Sequence, residues 1–233
     1  MANHALLNNI DHKDLHVITR RGAEFGDNQM LAVTFPAEFR DVQACYPIVF
    51  RQTTDGLGFE PVALFGFSEG DNLFLEGDQW QAMYLPMMVE RQPFLIGVNG
   101  DELMINIDLD SPRLSRSEGE AVFKPHGGTT PFLEQTNSLL AAIHQGLQET
   151  PAFLAALLQY ELLESFVLDI ELDNGSQNRL VGFYTINEDK LAALDAAALA
   201  TLHAGGHLKS IYMVLASLSN LRSLIDRMNY RHG

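Results

Sequence analysis

The stretch PIVFRQTTDGLGFEPVALFGF, Pro47 to Phe67, decides the fold class. Two runs rich in apolar residues flank TTDGLG, whose Asp55-Gly56 dipeptide is a strong short-range hairpin signal, so the flanks are expected to pair antiparallel. The pattern recurs twice. PFLIGV and LMINIDLD are joined by NGDE around Asn99-Gly100, and SFVLDIELDNGSQNRLVGFYTI, Ser165 to Ile186, carries its turn in DNGS. Antiparallel hairpins segregated from helical segments imply an α+β fold, a sheet of hairpins packed with helices, rather than a doubly wound parallel sheet.

Working outward, His16 to Arg20 and Met30 to Thr34 read as short strands, and PAEFRDVQAC as a turn or short helix. NLFL reads as a strand that ends at Gly77. QWQAMYLPMMVER then reads as a helix, or two turns interrupted near Pro86. The stretch SPRLSRSEGEAVFKPHGGTTP, residues 111–131, is rich in Pro, Gly, Ser and Thr, which predicts a long loop. The chain reads as a single domain over 1–233 with its loosest division at that loop. Beyond it, Phe132 to Glu149 and Pro151 to Glu164 read as consecutive helices, with Thr150 as N-cap and Pro151 at the first helical position. The last quarter is helical. Asn187 and Asp195 precede short helical runs, and Leu208, Ile211, Leu215, Leu218, Leu221, Ile225 and Met228 recur at three- and four-residue steps, giving one apolar stripe. That stripe reads as domain core or as the seam of a homodimer.

Charge narrows the partners. Thirty acidic residues against 15 basic ones give a formal net charge of −15, whereas nucleic acid and anionic membrane surfaces are bound through Lys and Arg. Neither partner is expected. The lone Cys45 excludes an intrachain disulfide and a cysteine-built zinc site. The N-terminus shows no basic start followed by an apolar block of signal-peptide length, and the apolar runs fall short of the ~20 residues that a spanning helix needs. The sequence therefore reads as a cytoplasmic protein with no membrane insertion.

No residue pattern announces a reaction. G-x-S-x-G, the G-x-x-x-x-G-K-[ST] phosphate loop and the dinucleotide G-x-G-x-x-G are all missing, and no cofactor or metal is expected. His203 and His207 have a helical ligand spacing, but Gly205 and Gly206 between them read as a helix junction. His12 and His16 share the spacing within a polar segment. Asp108 with Asp110, and Asp169 with Glu171, would share a strand face, a pattern that the exposed side of a half-buried strand also produces. Cys45 has no neighbouring base. What remains is the aromatic segment from Trp80 to Phe94 with Arg51 and Arg91. Trp80, Tyr84, Arg91 and Arg51 are the candidate ligand-binding residues, because aromatic rings supply contact area and guanidinium forks to a carboxylate. Packing of a helix on the sheet would use the same residues.

Taken in order, YPIVF, FEPVALFGF, GDNLFLEGDQWQAMYLP, RQPF, IDLDSPRLS, GEAVF, LVGFYTINEDKLAAL and GGHLKSIYMVLASLSNLRSLI resemble the bacterial SapC family, named for surface-layer loci. The likeness runs from Phe39 to Leu224. It implies no established catalytic residues. Relatives lie near genes for TonB-dependent receptors, halogenase-like flavoproteins and cupin-like hydroxylases, which implies an accessory role in uptake or in amino-acid or peptide modification. The expectation is a non-enzymatic accessory or binding protein that presents a peptide or small ligand to a partner modification enzyme. Two alternatives stay open: an enzyme acting on amino acids or peptides through Asp108, Asp110 or His207, and a structural surface-layer component.

Overall fold

A computed structural model describes residues 3–100 and 102–232. The strands in chain order are β1 His4–Leu6, β2 His16–Val17, β3 Leu31–Val33, β4 Ile48–Gln52, β5 Phe59–Leu64, β6 Leu75–Glu76 and β7 Gln79–Trp80, then β8 Phe94–Asn99, β9 Glu102–Asp108, β10 Leu114–Ser115, β11 Glu120–Ala121, β12 Leu163–Glu171 and β13 Gln177–Ile186. The helices are α1 Phe39–Val42, α2 Met87–Glu90, α3 Pro131–Gln159, α4 Glu188–Ala192, α5 Ala196–Ala204, α6 His207–Ser217 and α7 Asn220–His232. The fold is α+β with a helical C-terminal segment, and the pairing in its sheets is antiparallel. Interleaved segments build two compact units: 1–28, 75–81 and 87–145 make the first, and 29–74, 82–86 and 146–233 the second.

In the first unit β1, β9 and β8 form one sheet in that order, and β10, β2 and β11 another. The β8–β9 hairpin is the one expected at Asn99-Gly100; Gly100 has φ +62°, and Asp101 of its NGDE turn lies outside the described residues. Val17, Phe94, Ile107, Val122, Leu133 and Leu140 make its apolar core. The stretch 111–131 is more ordered than its composition predicts, since β10 and β11 flank β2 on both sides. Gly119 permits this. At φ +98° a Cβ there would lie 2.2 Å from the Val17 carbonyl oxygen, so only glycine lets the turn run against β2.

Below that turn Arg113 is sealed. Its Nη1 donates to the carbonyls of Ile18 and Arg20, each at 3.0 Å, and its Nη2 to Asp27 Oδ1 at 2.6 Å. The other Asp27 oxygen accepts the Gly22 N–H at 2.9 Å. Burial pulls the Arg21 guanidinium below its ordinary value against the opposing attraction of Asp27, 3.5 Å away.

The second unit centres on a five-stranded sheet in the order β12-β13-β4-β5-β3. The β4–β5 and β12–β13 hairpins are those predicted from Asp55-Gly56 and DNGS. Phe153 packs its ring 5.8 Å from Phe39 and 6.4 Å from Phe50. The Ile48 N–H is taken by Ser217 Oγ of α6 at 2.8 Å, which satisfies a buried strand donor with a helix side chain.

Four local expectations are corrected. Leu73 and Phe74 of NLFL are in a turn, and the strand is Leu75–Glu76. Trp80 lies on β7, paired with Leu75 across a two-residue turn whose Gly77 has φ +60°, so QWQAMYLP is no helix and only Met87–Glu90 makes one turn. The two helices expected on either side of Thr150 are one, with Pro151 inside α3. Thr150 Oγ1 donates to the Gly146 carbonyl at 2.8 Å instead of capping a new helix. Last, the C-terminal stripe is cut: α6 ends at Ser217 and α7 begins at Asn220, and of the stripe only Ile211 is fully buried, the other fully buried positions being Val214, Ser217 and Leu224. The junction at Gly205 and Gly206 is as the sequence implies, and the helical runs after Asn187 and Asp195 form with those residues as caps, their side-chain oxygens accepting the N–H of Lys190 and of Ala198 at 2.8 Å each.

Candidate functional site

The four sequence candidates divide between the units, Trp80 and Arg91 in the first, Tyr84 and Arg51 in the second. Trp80 is half-buried on β7. Arg91 follows α2 and donates through Nη1 to the Phe94 carbonyl at 2.7 Å across the cis Gln92–Pro93 bond, and burial lowers its pKa. Tyr84 belongs to a buried polar network. Its hydroxyl donates to Glu38 Oε1 at 3.0 Å, Thr34 Oγ1 donates to Glu38 Oε2 at 2.7 Å, and the Tyr46 hydroxyl donates to the Tyr84 carbonyl. Glu38 is only 1% exposed, and the Tyr46 ring lies 5.2 Å from Phe65 and 4.7 Å from Phe74. Such a network fixes the backbone around Tyr84, because a carboxylate out of water must be fully hydrogen-bonded.

Arg51 is placed differently. It stands on β4 directly opposite Glu60 of β5, with Nε 2.8 Å from Glu60 Oε1, and its side chain is 36% exposed. It opens onto a cleft of about 440 Å³ in the second unit, lined also by Phe67, Glu69, Arg179, Val181 and Phe183. Arg179 is held loosely by Asp169, with Nε 3.3 Å from Oδ1 and both side chains largely exposed. Neither arginine has a further side-chain or carbonyl partner among the described residues, so their Nη donors remain available for an acceptor.

The backbone in this cleft is irregular. Phe166 pairs with Phe183 and Leu168 with Leu180, so Val181 and Gly182 of β13 oppose Val167 alone. Gly182 takes φ +85°, the left-handed conformation that glycine adopts without strain. Such bulges bend a strand and re-aim its side chains, and they gather next to binding sites. The pairing of β13 with β4 is confined to Phe183 and Tyr184, so residues 179–182 line the cleft with a strand edge that no named strand covers. Sequence reading found Arg51 but missed Arg179, which looks there like one more charge on an exposed strand face.

The other sequence candidates make no joint site. Asp108 closes β9, while Asp110 lies beyond it in a turn, its N–H donating to Asp108 Oδ1 at 3.1 Å, so the two do not share a strand face. His203 lies in the last turn of α5 and His207 begins α6, its ring 5.9 Å from Phe153. Cys45 is a free, half-buried thiol. Among the described residues no three His, Cys, Asp or Glu side chains gather as a metal site, and no helix is long and apolar enough to cross a membrane.

Comparison with curated proteins and with solved structures yields no match. The sequence profile of the SapC family matches residues 7–224, which takes in both compact units and the whole of the Arg51 cleft, and so the chain belongs to the SapC family.

Proposed function

We propose that the protein is a non-enzymatic accessory protein that binds an extended peptide in the Arg51 cleft and presents it to a partner modification or uptake system. One observation carries this reading: two arginines with uncommitted Nη donors flank an uncovered, bulged strand edge at residues 179–182. An incoming strand would pair its main chain with β13 and place alternate side chains against Val181 and Phe183, the usual mode of peptide addition to a sheet edge. Carbonyls or a terminal carboxylate would accept from Arg51 and Arg179. Of the four residues singled out from the sequence, this assigns ligand contact to Arg51 and a scaffold role to Tyr84 and Arg91, and gives Trp80, in the other unit, no part in the cleft. Both units act as one domain in this reading, since a single family profile spans them. The function is placed in the cytoplasm, where the lone Cys45 would stay reduced, and cell fractionation tests that placement.

The binding test uses a fluorescent peptide alternating valine and threonine with a free C-terminal carboxylate. Binding is expected to slow hydrogen exchange at the backbone amides of residues 179–182 and to be lost when Arg51 and Arg179 are both replaced by alanine. Binding that leaves those amides unprotected, or no binding across such peptides, overturns the reading.

A further inference from the structure

The first unit holds a second, smaller cavity of about 310 Å³, bordered by His12, Asp14, Leu15, Leu109, Leu114 and Arg116. Its chemistry follows from a closed loop over residues 8–15. Asn8 Oδ1 accepts the N–H groups of Ile10 and Asp11 at 3.0 and 2.9 Å, and the Asn8 carbonyl accepts the His12 N–H at 3.2 Å. The Asn8 N–H in turn donates to His12 Nδ1 at 3.2 Å. With Nδ1 used as an acceptor, the neutral ring carries its proton on Nε2. His12 is only 9% exposed, and Nε2 has no acceptor among the described residues.

Across the cavity the Arg116 guanidinium has neither ion pair nor hydrogen bond among the described residues, although its neighbour Glu118 is taken by Arg20 at 2.6 Å. Asp11 is engaged by Asn8 Nδ2 at 3.0 Å. The groups without a close partner are thus two donors, Arg116 and His12 Nε2–H, and one acceptor, the Asp14 carboxylate, whose ion partner Lys13 is 4.0 Å away. Asp14 and Ser115 belong to the polar side of the wall, and the aliphatic side is Leu15 and Leu114, which pack on the apolar core of the unit, with Leu109, 37% exposed, beside them. At the small end of the ~300–1,000 Å³ range of ligand pockets, the space admits one residue rather than a length of peptide.

We infer that this cavity binds a small aliphatic carboxylate, held at its carboxylate by Arg116 and His12 Nε2–H and at its alkyl group by the three leucines. Free branched amino acids and the C-terminal residue of a peptide share that chemistry. The inference stands apart from the Arg51 cleft, which lies in the other unit and has its own lining.

Calorimetric titration of the full chain with isocaproate, N-acetyl-leucine, leucine and leucinamide tests it. Isocaproate is expected to bind and leucinamide, which lacks the carboxylate, to fail. Leucine binding more tightly than N-acetyl-leucine identifies the free amino acid as the source, with Asp14 meeting the ammonium; the reverse order identifies a peptide terminus. His12→Ala and Arg116→Ala are each expected to weaken isocaproate about tenfold or more, as loss of a charge-assisted hydrogen bond does. Arg116 is exposed, so its variant stays folded if the loop does not tolerate the loss of His12. Arg51→Ala is expected to leave isocaproate binding unchanged. Failure of all three carboxylates, or equal binding to wild type and Arg116→Ala, overturns the inference.

Discussion

Two arginine–carboxylate pairs of almost equal length do opposite things in this protein. Arg113 and Asp27, 2.6 Å apart in the first unit, have side chains 1% and 0% exposed; Arg51 and Glu60, 2.8 Å apart in the second, are 36% and 26% exposed. The sealed pair spends its Nη donors inside the fold, since Arg113 also holds two carbonyls and Asp27 a backbone N–H. The open pair leaves its Nη groups at a cleft. Distance alone does not separate fold from function; what the remaining lone pairs and protons do is what separates them.

The largest expected effect comes from breaking the sealed pair. Asp27→Ala leaves two guanidinium groups, Arg113 and Arg21, without their carboxylate, and removing one partner of a buried pair costs about 3–5 kcal/mol. Urea denaturation measures this. A loss below ~1 kcal/mol would mean that water reaches Asp27 and that the two pairs are alike.

Two glycines of the second unit extend the contrast. A Cβ on Gly146 would lie 2.1 Å from Cδ2 of Phe35, a ring only 1% exposed, whereas a Cβ on Gly182 would meet nothing within 4 Å. Gly146→Ala gains about 1 kcal/mol of helix propensity, but it must displace a packed ring, so a net loss of about 1–3 kcal/mol is expected. Gly182→Ala carries only the backbone cost of φ +85°, about 1–2 kcal/mol, and no clash. Thermal unfolding of both variants checks the order, and hydrogen exchange of residues 179–182 in the second shows whether the bulge persists.

The parts of this fold that rest on neighbours in sequence were legible, and those that rest on distant contacts were not. Asp55-Gly56 sits in the turn of its hairpin, and Gly205-Gly206 at the junction of α5 and α6, because a turn or helix end is decided within four residues. Thr150-Pro151 misleads for the same reason. Locally it is a helix start, yet Thr150 Oγ1 bonds back to Gly146 and Phe153 is locked against Phe39 and Phe50, so tertiary packing carries the helix through the proline. In QWQAMYLP the apolar spacing fits a helix, but Trp80 pairs with Leu75 across a turn that Gly77 makes possible. At the site, Arg51 was found as a cation near aromatic residues. Arg179 enters only through the pairing of β13 with β4, and the free Nε2 of His12 only through the hydrogen bond at its Nδ1.

The smallest effect on stability, and the one that bears most on function, is expected from Arg51→Ala. Exposed ion pairs contribute about 0–1 kcal/mol, and Glu60, a quarter exposed, can turn to water once its partner is gone. Unfolding should therefore shift by less than ~1 kcal/mol while affinity for the valine–threonine peptide falls about tenfold, the loss of one charge-assisted hydrogen bond. Capping the peptide's terminal carboxylate as an amide should reproduce most of that fall if Arg51 meets the terminus, and little of it if Arg51 meets a main-chain carbonyl. Should Arg51→Ala instead destabilise the fold by 3 kcal/mol or more, on the scale of a sealed pair, Arg51 would belong with Arg113 as scaffold. The cleft would then lose the residue that distinguishes it.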